Sequence, residues 1–163
     1  MSTELHIALY SEPDAPGSFH WALVVGDVAE KVVLYQIRMD ESWKLAHRTD
    51  GVQLKNSQMF QCSVGLGPLL RTVEETKKLI EAESPTQDGT EILWIYMAQS
   101  RGWSCSQWVL RVLEHLVEGG YIDGGSIGID LNKDWKGNFW IKVIGKGKEA
   151  VSKQKRHMEL ADV

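Results

Sequence analysis

Two apolar, β-branched runs, Phe19 to Val25 and Lys31 to Arg38, stand on either side of a short break, Gly26-Asp27-Val28-Ala29-Glu30. No other feature constrains the fold as strongly. Each run has the length and composition of a strand, and the break has those of a turn, so the pair predicts an antiparallel hairpin. His20 heads the first run, after the turn-rich stretch Ser11 to Ser18, and so falls near a sheet end. Phe19 and Trp21 would face the opposite side of the sheet from it.

Further strands are expected at His6 to Tyr10, Ser42 to Arg48 and Met59 to Val64, and a last one at Phe139 to Ile144. A helix is expected over Leu69 to Ala82, supported by the i,i+4 pair Glu74/Lys78 and ended by Ser84 to Gly89. A second helix opens after Ser104, a capping-type residue. It carries Trp108, Val109, Val112, Leu113 and Leu116 on one stripe and stops at Gly119-Gly120. Glu91 to Ala98 fits helix or strand. Tyr121 to Asn132 reads as a glycine-rich loop, and residues 119–128 as a candidate flap beside the helix they follow. Strands clustered before helices indicate an α+β domain, an antiparallel sheet packed against two main helices, over residues 1–145. Residues 146–163 read as a charged C-terminal tail.

At 163 residues the chain has room for one domain with a substantial core. A net charge of -4 and a pI near 5.7 argue against a phosphate-backbone binder, so no nucleic-acid partner is expected. No window approaches the roughly 18 apolar residues of a membrane span, and the first ten residues lack the pattern of a signal peptide. With Cys62 and Cys105 the only cysteines, the expectation is a cytoplasmic, reduced protein with two free thiols and no membrane partner. The sequence gives no indication of oligomeric state.

Cys105 falls in the first turn of the second helix, where unpaired amides favour an anion. A thiol there needs a base within reach, and His20 is the candidate. A third group should orient the imidazole. In a tight hairpin, residues 36 to 38 lie opposite His20, and Gln36 is the best candidate, with Arg38 fitting about as well geometrically. Gln36 could equally be an edge-facing polar side chain. The expected catalytic residues are therefore Cys105, His20 and Gln36. Trp21, Trp103 and Trp108 are expected to wall a substrate pocket, although seven Trp in a small domain also fit core packing.

A strand bearing HWALVVG, a second strand bearing a polar residue, and a distant helix opening with Ser104-Cys105 resemble the circularly permuted papain-like fold. That group includes permuted NlpC/P60 proteins, the lecithin–retinol acyltransferase-like family and the PPPDE peptidases, in which His precedes Cys. The resemblance covers residues 19–38 and 103–118 and implies a thiol hydrolase or acyltransferase. The acyltransferase-like pattern commonly has Asn where this chain has Ser104, and a second His where it has Gln36. The WSCSQWVLRVLEHL stretch also resembles uncharacterised small fungal proteins.

Gln99, six positions before Cys105, matches the spacing of a papain-like oxyanion glutamine; in a permuted chain this is mostly coincidence. Gln107 and His115 are expected to be exposed, and His47 is an alternative base. The spacing of Cys and His fits no common metal motif, so no metal or cofactor is expected. Two readings follow. One is an acyl-transfer enzyme acting on amide or thioester bonds of a small molecule or peptide. The other is a non-catalytic domain binding a small molecule or peptide in a Trp-rich pocket. Exposed aromatics forming an oligomer interface are a weaker third.

Overall fold

The hairpin forms with the expected bounds for its first strand. In a computed structural model describing residues 3–12, 19–39, 43–91 and 103–161, β2 (Phe19–Val25) pairs antiparallel with β3 (Val32–Met39), Val25 opposite Val33 and Leu23 opposite Tyr35. Asp27 closes the turn: its Oδ1 accepts from Ala29 N and its carbonyl from Glu30 N. Gly26 has φ 135, and a Cβ there would lie 3.2 Å from Val32 Cγ1, so both backbone and space favour glycine.

With β1 (Glu4–Ser11), β4 (Trp43–Val52), β5 (Phe60–Pro68) and β6 (His157–Glu159), the strands make one sheet ordered β4-β3-β2-β1-β5-β6. The sheet is mixed, not antiparallel throughout, because β6 runs parallel to β5. Alternation splits its side chains between two cores. Trp21, Leu23, Val25, Tyr35 and Ile37 meet the helices, while Ala8, Ala22, Val24 and Leu34 pack with Leu54 and Phe60 on the other face.

Among the described residues three helices complete the α+β fold, where two main helices were expected. α1 (Val73–Ala82) starts later than the periodicity predicts, because Thr72 and Glu75 form a reciprocal capping box. Ahead of it, the amides of Leu69 and Leu70 bond to Thr3 and Tyr121 rather than starting a helical turn. α2 (Cys105–Glu118) buries the predicted stripe completely. α3 (Lys136–Ser152) replaces the strand expected at Phe139 to Ile144. Its buried residues Phe139, Val143, Gly147 and Ala150 recur every three or four positions, a helical period that runs through the stretch read as a tail. Gly147 lets α3 approach the sheet: a Cβ there would come within 2.7 Å of Leu9 and 2.9 Å of Phe19. Residues 157–160 likewise belong to the body, with Leu160 fully buried.

The glycine-rich segment after α2 is packed down by buried Ile122, Ile127 and Ile129 rather than standing free as a flap. Glu91 to Ala98 lies, apart from Glu91, outside the described residues, as does Gln99; so do the side chains of Arg38 and His47.

Candidate active site

His20 and Cys105 meet. β2 delivers the imidazole at the end of the sheet, and α2 packs across β2 with its N-terminus at that end. The backbone amide of Trp21 donates to Cys105 Sγ at 3.4 Å. A ring nitrogen of His20 and Cys105 Sγ lie within 4.8 Å of each other, together with a carboxylate oxygen of Glu12. All three residues are half-buried.

Gln36 holds the ring. Its Oε1 lies 2.7 Å from His20 Nε2, and an amide oxygen can only accept, so Nε2 carries the hydrogen. That leaves the Nδ1 lone pair for the thiol proton. Tyr10, on β1, is the cross-strand partner of His20, the rings 6.1 Å apart. Burial pushes the Tyr10 phenol up to about 12, so it faces the imidazole as a neutral group. Burial also works against a charged His20, but the Cys105 sulfur, the Gln36 amide oxygen and the Glu12 charge outweigh it. Together they hold the imidazole up at about 8.

The helix start is arranged for an anion. Ser104 takes the N-cap position, yet its hydroxyl pairs with Ser106 Oγ at 3.2 Å and makes no capping bond. No acidic residue lies in the first turn of α2. An α-helix leaves its first-turn amides without intrahelical acceptors, and Cys105 is the first residue of α2.

The three tryptophans are a correction. Trp21 and Trp108 are 1% and 0% exposed, and Trp103 is 7% exposed. The Trp103 and Trp108 indole N–H groups donate to the Pro85 and Ser84 carbonyls. All three rings pack in the core, and loop carbonyls satisfy the indoles of Trp103 and Trp108. Gln107, expected at the surface, is buried, and His115 is tied to Glu83 at 2.6 Å. Cys62 is buried in β5, away from solvent.

Two features escaped sequence reasoning. Glu12 sits in a stretch read only as turn-rich, although pairing of β1 with β2 through Ser11 and Phe19 puts position 12 beside His20. Arg111 faces the loop after α1 and makes five hydrogen bonds to it, to Glu83, Ser84, Thr86, Gln87 and Thr90. Its guanidinium also lies 4.5 Å from the Trp103 ring centroid.

A second Ser–His–Glu arrangement occurs where β5 meets β6. Ser63 Oγ is 2.7 Å from His157 Nδ1, and His157 Nε2 is 2.8 Å from Glu159 Oε1. Ser63 is 1% exposed, so its hydroxyl pins β6 to β5 instead of meeting a substrate.

No family model, curated protein or solved structure matches this chain.

Proposed function

We propose that the protein is a thiol-dependent acyl-transfer enzyme of permuted papain-like architecture, acting on amide or thioester bonds. The observation that carries this reading is the line Cys105–His20–Gln36: a half-buried thiol at a helix start, an imidazole beside it, and an amide oxygen fixing that imidazole's tautomer. Cys105 Sγ attacks the carbonyl carbon as its proton passes to His20. The tetrahedral oxyanion is held by amides at the start of α2. The intermediate collapses, His20 returns the proton to the leaving amine or thiol, and an acyl-thioester remains on Cys105. Water or an acceptor nucleophile then releases the acyl group, with His20 taking its proton. Gln36 is a positioning residue throughout.

The reading based on a Trp-rich binding pocket loses support, because Trp21, Trp103 and Trp108 are buried. The test is direct. The protein is incubated with a p-nitrophenyl ester, and an acyl adduct is sought by peptide mass. An adduct on Cys105 that disappears in His20→Ala supports the reading. A folded protein in which Cys105 is neither acylated nor alkylated by iodoacetamide any faster than Cys62 overturns it.

A further inference from the structure

Three different donor types converge at the sheet end, and only two of them serve acyl transfer. Cys105 Sγ, a ring nitrogen of His20 and a Glu12 carboxylate oxygen lie within 4.8 Å of one another, all half-buried. We propose that these three residues form a binding site for a single zinc ion, open at its fourth position, and that zinc there switches the thiol off. The inference goes beyond the acyl-transfer reading and stands without it.

The donor set selects the metal. Sulfur, imidazole and a single carboxylate suit a borderline-soft cation, whereas magnesium and calcium require oxygen ligands. Zinc at usual bond lengths spaces its ligands about 3–4 Å apart. With all three donor atoms already within 4.8 Å of one another, side-chain adjustment at Glu12, His20 and Cys105 is what closes the set around an ion. The surroundings already fit. Gln36 Oε1 accepts from His20 Nε2, which fixes the tautomer that leaves Nδ1 for a metal. The Trp21 amide points at the sulfur and would support a coordinated thiolate. On binding, the thiol proton goes to solvent. One thiolate and one carboxylate then balance the two charges of the ion. The sulfur lone pair needed to attack a carbonyl becomes a metal bond, and Nδ1 can no longer accept a proton.

The experiment uses the whole chain with Zn²⁺, and Co²⁺ as its spectroscopic stand-in. One Co²⁺ per chain, with a thiolate-to-cobalt charge-transfer band that Cys105→Ser abolishes, is expected. Glu12→Gln should weaken metal binding at least tenfold. Zn²⁺ should slow iodoacetamide alkylation of Cys105 at least tenfold, with recovery on adding EDTA. Absence of the charge-transfer band, or unchanged affinity in folded Glu12→Gln, overturns the proposal. Alkylation of the metal-free protein separates the two readings. A fast Cys105 without a metal band sinks the zinc site alone, and a metal band with a sluggish metal-free Cys105 sinks the enzyme alone.

Discussion

Gln36 Oε1 lies 2.7 Å from His20 Nε2, joining two strands of one hairpin through a single side-chain bond. Gln36→Leu keeps the bulk and removes the acceptor. The ring then loses its fixed tautomer, and a part-buried N–H loses its partner at about 1–3 kcal/mol. Alkylation of Cys105 at neutral pH should fall on the order of tenfold, and Gln36→Asn or Gln36→Glu should recover part of it. A rate unchanged in Gln36→Leu would remove this residue from the mechanism.

The two thiols should behave oppositely in the native protein. Burial pushes Cys62 up to about 11, despite the opposing charge of Arg156, and its side chain is sealed in the core. Peptide mass after brief iodoacetamide treatment at neutral pH should show Cys105 labelled and Cys62 intact. Both should label in denaturant. His20→Ala should slow only the first.

Arg111 should be among the most sensitive positions for stability. Arg111→Ala strips five hydrogen bonds from the loop after α1 and leaves Glu83, 10% exposed, without its guanidinium. Loss of one partner of a buried ion pair costs about 3–5 kcal/mol. Urea unfolding should show a loss of that order. A loss below about 1 kcal/mol would mean the loop re-satisfies itself with water.

Acid should weaken the fold through His6. Burial, with His157 nearby, lowers its imidazole to about 4, against the usual 6.5. Unfolded chains therefore bind a proton in this window that folded chains refuse, so stability rises with pH. Its contribution is complete above pH 6.5 and is lost as pH falls toward 4, by on the order of 3 kcal/mol. Urea midpoints across that window should fall with acidity, and His6→Gln should flatten the slope. An equally steep slope in His6→Gln would assign the effect to other groups.

Much of this arrangement was legible in the sequence. The His20 strand could be placed because alternation and turn chemistry agreed. Hairpin pairing narrowed the orienting group to residues 36 to 38, and only the three-dimensional register selects Gln36, which reaches His20 diagonally. Cys105 could be placed at a helix start because the stripe from Trp108 to Leu116 has an unambiguous period. α3 was hidden because its first half is rich in strand-forming residues, while Gly145 and Gly147 resemble breaks. Only packing against Leu9 and Phe19 reveals why Gly147 belongs inside a helix. For the tryptophans the sequence left core and pocket both open, although the stripe of the second helix already held Trp108. Sequence can count indoles, but which carbonyls satisfy them depends on a loop more than fifteen residues away.

The last strand has a consequence of another kind. β6 covers the flank of β5: Arg156 O accepts from Ser63 N, and Leu160 N donates to Gly65 O. Until residues 156–160 are in place, β5 presents its outer row of amides and carbonyls to any strand that arrives. A chain cut after Lys155 would still contain His20, Gln36 and Cys105, yet would carry a bare sheet edge. Such a truncation should self-associate, read as a concentration-dependent rise in sedimentation coefficient, because residues 156–160 are what shield that edge from other strands.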